Sequence, residues 1–293
     1  MFVAVFLGFM VFIAPGIAHA EAIADPTQWE QSPSPQQLTP SSQQPTPTPK
    51  QPTSTLKQLT PTSKIGIIAA MDPELDLLVN AVSDPVVEKI AGISFVAGKI
   101  GDHPVVISKC GVGKVSAALG TQLMIDRFAP DFIVNTGCAG GLQPEVAIKD
   151  IVLASGTVEW DLDTTMFDHP RGYVHALDRE EMVTDSRLVR QIERHVPDNM
   201  KVHKGLVISG DSFVATKQQR SALLGYFPSA KCVEMEGSAV GHVCAQNGVP
   251  FCVLRCISDD CREGLTVDYN EFEIEASRTA ADILLRFLRE EAL

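Results

Sequence analysis

Lys231 to Asp260 runs "KCVEMEGSAVGHVCAQNGVPFCVLRCISDD". A short apolar run gives way to Glu234-Met235-Glu236, a helical pattern from Gly237 stops at Gly248, and "VPFCVLRCIS" has the apolar content of a buried strand. Strand, helix and strand in that order are the unit of an α/β fold. The two glutamates between the first strand and the helix are bordered by Cys232, Val233, Ala239 and Val240. A carboxylate in such surroundings is costly unless it is paired or hydrogen-bonded. Glu234 and Glu236 are therefore candidates for chemistry.

The same alternation extends in both directions. "KIGIIAA" (Lys64 to Ala70) is a buried strand, and "MDPELDLLVNAV" predicts a helix with Asp72 as N-cap and Pro73 at its first position. "ISFVAGKI" and "HPVVISKC", separated by Gly101-Asp102, predict a hairpin. An apolar-rich helix follows "GVGK" (Val115 to Phe128), then the strand "DFIVNTG" and a glycine-rich turn, "GCAGG". "DIVLAS" and "KGLVISG" are strands with the amphipathic helix "SRLVRQIERHV" between them, and a helix from Tyr269 to Arg289 closes the domain. The predicted fold is a three-layer α/β/α sandwich with a mixed, twisted central sheet.

In such sheets ligands collect at the carboxyl ends of strands. Glu74, the Thr136 to Gly141 turn, Asp211-Ser212-Phe213, Glu234-Met235-Glu236 and Ser258-Asp259 all stand there. Acids, small residues and one aromatic suit a neutral or cationic small molecule. Taken singly, each has an ordinary explanation. Glu74 can offset a helix macrodipole, Ser258 and Asp259 can cap a turn, and Met235 and Phe213 can fill a core.

The first 63 residues differ in character. Met1 to Ala20 is apolar as far as Pro15 and ends in Ala18-His19-Ala20, the pattern of a secretory signal peptide (residues 1–20), although no Lys or Arg precedes the apolar run. Secretion to the periplasm or beyond is expected, with an uncleaved anchor as the competing reading, and a cytoplasmic location if the leader does not function. Residues 21–63 are rich in Pro, Gln, Ser and Thr and predict a disordered linker, leaving residues 64–293 as one domain.

The chain carries a net charge of −12, of which the leader and linker contribute −1 through Glu21, Asp25, Glu30, Lys50 and Lys57. A domain at −11 repels polyanions, which excludes nucleic acid and anionic membrane as partners. The seven cysteines, all within the domain, form neither a C-x-x-C nor a zinc-binding pattern. They predict a thiol-bearing core with no metal and no cofactor, which sits awkwardly with export.

"GIIAAMDPEL", "CGVGKVSAALG", "VNTGCAGGL", "VISGDSFV", "CVEMEGSAVGHVC" and "RCISDD" together resemble the 5′-methylthioadenosine/S-adenosylhomocysteine nucleosidases of the purine nucleoside phosphorylase superfamily. The resemblance runs in order through most of Lys64 to Leu293. It implies hydrolysis of the bond between adenine and ribose C1′ through an oxocarbenium-like transition state. It implies Asp259 as the general acid on N7 and Glu74 as the acid that orients the attacking water. Glu236 would grip the ribose hydroxyls with Met235 under the sugar. Phe213 would stack on adenine, and the Val214 backbone would read its edge. Arg255 would support Glu74, and Met71, Val112, Cys138 and Tyr269 would complete the wall. It also implies a homodimer in which Phe167, from "DLDTTMF", reaches the neighbour's 5′ pocket. Cys138 and Cys110 stand where serine is common in the family, which places a thiol near the ribose.

Other activities remain open on the sequence. A nucleoside phosphorylase needs an anion site near the first strand, where Glu74 stands. A hydrolase of a related adenine or futalosine-type nucleoside would differ only in the 5′ pocket. A cysteine hydrolase using Cys138 or Cys110 needs a His base that no motif supplies. An inactive exported nucleoside-binding module would share the fold.

Overall fold

The computed structural model describes residues 59–60, 62–261 and 268–290. The predicted leader and nearly all of the predicted linker lie outside the described residues. Strand β1 (Ile65–Ala69) is buried along its whole length, parallel to its two neighbours β4 (His103–Lys109) and β5 (Phe132–Gly141). Burial on both faces explains its unbroken apolar sequence.

The helix predicted from Asp72 is in two pieces, a 3-10 turn at Asp72–Glu74 and a short α1 (Asp76–Asn80). Asp72 caps nothing; its carboxylate pairs with Lys109 Nζ at 2.6 Å. Glu74 reaches back instead and accepts from the amides of Ala70 and Met71, both at 2.9 Å. Tertiary use of that acid overrides the helical pattern.

β3 (Ile93–Ile100) and β4 form the expected antiparallel hairpin around Gly101-Asp102. β2 (Ser83–Ile90) adds an edge strand that was not predicted. Pro85 interrupts it and Val86 and Val87 are exposed, so it shows no alternation of apolar and polar residues.

The predicted glycine-rich turn is not a turn. β5 continues through it to Gly141, pairing in parallel with β10 (Phe251–Asp259) and, at Gly140 and Gly141, antiparallel with β9 (Ala230–Glu234). β10 goes on to β6 (Ile151–Glu159), β6 to β8 (Val202–Ser209), and β8 to β9. Strands β5, β10, β6, β8 and β9 thus close into a ring, while β1, β4, β3 and β2 extend from β5 as an open sheet. β7 (Met182–Val183) pairs with β6.

Helices cover both faces of this mixed sheet. α2 (Lys114–Phe128) and α5 (Gly237–Asn247) share one core with Ile68, Ile133 and Val253 of the strands. α1, α3 (Ser186–Glu193) and α6 (Asp268–Glu290) share another with Ile67, Val134 and Leu254. That is the three-layer arrangement the alternation predicts. α5 ends as expected at Gly248, with φ 67. α4 (Lys217–Tyr226) was not predicted, although Thr216 and Gln219 have capping spacing and the Thr216 hydroxyl accepts from the Gln219 amide at 3.2 Å. All seven cysteines are unpaired, and all but Cys138 are buried. Among the described residues no helix is long and apolar enough to cross a membrane.

Candidate active site

The ends of β1, β4, β5, β8, β9 and β10 surround a cavity of about 220 Å³. Its wall includes Met71, Glu74, Val112, Cys138, Phe213, Val214, Met235, Glu236 and Asp259, together with Ala139, Gly140, Ser212, Glu234, Ser258 and Cys261.

Glu74 is buried, and three backbone amides hold it. Ala70 and Met71 donate to Oε2, and Cys138 donates to Oε1 at 3.2 Å. Burial pushes its carboxyl above the usual range, against the opposing pull of Arg255 and those amides. Gly137 makes room: a Cβ there would collide with the Glu74 carboxylate and the Arg255 guanidinium. The glycines in "NTGCAGG" therefore serve close approach within a strand.

Arg255 does not line the cavity. It is almost wholly buried behind the wall, bonded through Nη2 to Glu234 and Asn135, with Nη1 donating to the Cys138 carbonyl at 3.3 Å. Burial works against its charge, but Glu234, Glu236 and Glu74 together hold its pKa above the ordinary arginine value.

Glu236 follows β9 and accepts from the Gly113 amide at 2.9 Å through Oε1. Its Oε2 stands 3.8 Å from Arg255. Burial, then the charge of Glu234, pushes its carboxyl up to about 7. Asp259 ends β10, where Oδ1 accepts from the Cys261 amide and Oδ2 from the Ser258 hydroxyl, each at 3.0 Å. Burial raises its pKa, and these hydrogen bonds oppose the rise. A Cβ on Gly140 would strike Asp259 Oδ1 and Cys261 Sγ.

Two acids with raised pKa values in one largely apolar cavity are suited to exchanging protons with a bound molecule. A third, Glu236, can accept hydrogen bonds from a diol. The chain is similar to known proteins. A family model described as "Phosphorylase superfamily" matches residues 64–289. The 5′-methylthioadenosine/S-adenosylhomocysteine nucleosidase of Shewanella halifaxensis is 38% identical over 229 residues, covering 78% of this chain and 99% of the relative. That of an Exiguobacterium species is also 38% identical, over 76% of this chain and 96% of its own length. The chain belongs to the 5′-methylthioadenosine/S-adenosylhomocysteine nucleosidase family. Solved structures agree. The nucleosidase of Streptococcus pneumoniae with a transition-state inhibitor superposes at a TM-score of 0.73, with 34% identity over 77% of this chain and 98% of that one. The Colwellia psychrerythraea nucleosidase in complex with adenine gives 0.74, with 33% identity over 78% and 95%.

Against the nucleosidase pattern, most of the sequence-predicted residues meet in the cavity. Two serve differently from the expectation, Arg255 and the Cys138 side chain. Arg255 acts from behind the wall. The Cys138 side chain packs against the core under α6, so the residue's direct service to the site is its amide to Glu74. Phe167, in the 3-10 turn Thr165–Phe167, is 73% exposed and lies away from this chain's cavity wall. Tyr269 falls in the first turn of α6, and its side chain lies outside the described residues. Sequence reasoning placed Gly137, Gly140 and Ser258 at the site only as parts of strand-end segments, and it missed Gly113. The glycine pairs in "GVGK" and "CAGG" were the available signal.

Proposed function

We infer that this protein hydrolyses the N-glycosidic bond of 5′-methylthioadenosine, S-adenosylhomocysteine or both, releasing adenine and the 5-thio-substituted ribose. The observation that carries this is the convergence of Glu74, Glu236 and Asp259 on one cavity from three separate strand ends. Asp259, whose protonated form burial favours, gives its proton to N7 of the purine so that adenine leaves as a neutral base. Phe213 and the Val214 backbone hold the base, and Met235 lies under the sugar. Glu236 accepts from the ribose hydroxyls and opposes the positive charge that develops at C1′. Glu74 orients the attacking water; three amides fix its carboxylate, and as an acid it repels a phosphate acceptor.

Two extensions belong to the same proposal. The enzyme works as a homodimer in which Phe167 of one protomer closes the 5′ end of its partner's cavity. The exposure of Phe167, Met166, Val112 and Val115 supports this reading. The leader directs export, so that the mature chain begins at Glu21, and N-terminal sequencing of fractionated cells checks that. The reaction places the enzyme in methionine salvage.

Incubation with methylthioadenosine and inorganic phosphate should yield adenine and free methylthioribose. Methylthioribose 1-phosphate would make the enzyme a phosphorylase, and an unchanged nucleoside that nonetheless binds would make it a binding module.

A further inference from the structure

Glu234 is the most heavily bonded acid at the cavity. Its Oε1 accepts from the Ser209 hydroxyl and from the Gly237 amide at 3.1 Å. Its Oε2 accepts from Arg255 Nη2, from the Glu236 amide at 3.0 Å and from the Gly237 amide at 2.8 Å. The Ser209 hydroxyl accepts in turn from the Ser238 amide at 2.7 Å. The amides that open α5 would otherwise need partners of their own. Here side chains from β8 and β9 satisfy them. Glu236 occupies the N-cap of α5 with φ −131 and ψ −39, yet its side chain caps nothing. That task has passed to Glu234.

Arg255 is divided in the same way. Its guanidinium bonds Glu234 and leaves Glu236 at 3.8 Å, beyond hydrogen-bond range. We propose that Glu234 is a positioning residue for the reaction, which takes the Arg255 guanidinium and the opening amides of α5 so that Glu236 enters the cavity with its charge only weakly compensated, by Arg255 at 3.8 Å. This rests on the nucleosidase reading above. A carboxylate already neutralised by an arginine has little left to offer a developing cation. One held close to the cation with only a distant counter-charge stabilises it more. The groups facing Glu236 are Glu234 on β9, Arg255 on β10, Glu74 after β1, Cys110 after β4 and the Gly113 amide before α2. Burial and two of these groups, the acids Glu234 and Glu74, favour the proton on Glu236, so it takes one readily as pH falls.

The test compares kcat/KM for methylthioadenosine across pH in the wild-type enzyme and in Glu234→Gln, which keeps the shape and an acceptor oxygen but loses the charge. Arg255 then turns to Glu236. The acid limb should move down by about one pH unit, the direction in which removal of a like charge shifts a carboxyl. The value at the optimum should fall about tenfold, while adenine binding stays within about threefold because Phe213 and Val214 carry it. An acid limb that stays within about 0.3 unit of wild type overturns the proposal. If circular dichroism shows Glu234→Gln to be unfolded, carboxyl ¹³C NMR of the wild-type protein decides, with Glu236→Gln used only to assign the resonance. A Glu236 midpoint above about 6 supports the proposal and one below about 5 overturns it. Absence of adenine release by the wild-type enzyme defeats the nucleosidase reading alone, and the NMR midpoint still judges Glu234.

Discussion

The backbone amide of Gly113 donates to the Glu236 carboxylate at 2.9 Å, tying the start of α2 to the segment that follows β9. The two residues are 123 positions apart in the chain. Gly113 adopts φ 97, a left-handed conformation open to glycine, and a Cβ there would stand 3.0 Å from Asp211 Oδ1.

Gly113→Ala should therefore strain the backbone by about 1–3 kcal/mol and swing the amide away from Glu236. KM for methylthioadenosine should rise by about tenfold, while adenine, which has no ribose, binds nearly as before. Thermal melts and steady-state kinetics on one preparation check both. An unchanged KM would show that the Gly113 amide does not help place the ribose carboxylate.

Asp259→Asn keeps the shape of the general acid and can still hydrogen-bond a purine edge, but it has no proton to give. Turnover should fall by about 10²- to 10⁴-fold, the usual contribution of general acid–base catalysis. Single-turnover cleavage and adenine binding separate the possibilities. A variant within tenfold of wild type would leave Asp259 as a turn residue held by Ser258 and Cys261.

The raised carboxyl of Glu236 makes stability depend on pH in a defined sense. Its ordinary value is 4.5 and its folded value about 7, so between them the folded chain keeps a proton that the unfolded chain has lost. Stability from this group is present below pH 4.5 and is lost as pH rises through 7. The slope is at most about 1.4 kcal/mol per pH unit. Glu236→Gln should flatten the curve of midpoint temperature against pH and raise stability at pH 8. A variant that keeps the wild-type slope would assign the effect to another acid.

Phe167 lies in an exposed 3-10 turn, beyond its own chain's cavity wall. Light scattering should find a dimer at working concentration. Phe167→Ala should raise KM for methylthioadenosine by about tenfold, the scale of one lost apolar contact, with adenine binding intact. A fully active monomer would sink the proposal that Phe167 serves a partner's site.

Much of this was legible in the chain. β1, the Gly101-Asp102 hairpin, α5 with its stop at Gly248, and β10 all carry local signals that the structure retains. β2 was not legible, because an exposed edge strand containing Pro85 has no apolar face to display. Nor was the course of β5 through Gly137 and Gly140. Glycine in sequence is a turn residue by default, and only the packing of Glu74, Arg255 and Asp259 shows that these glycines leave space inside a strand.

The sequence by itself determined the alternation of strands and helices, the mixed sheet, and which polar residues stand at the carboxyl ends of strands. Those are consequences of hydrophobic period and of capping, which act over a few residues. The tertiary structure alone decided how the charges are shared: Arg255 goes to Glu234, the amides of Ala70, Met71 and Cys138 go to Glu74, and the Gly113 amide goes to Glu236. Hydrogen bonds and ion pairs are settled by distances of a few tenths of an ångström between groups as much as 123 residues apart, and no local pattern encodes them.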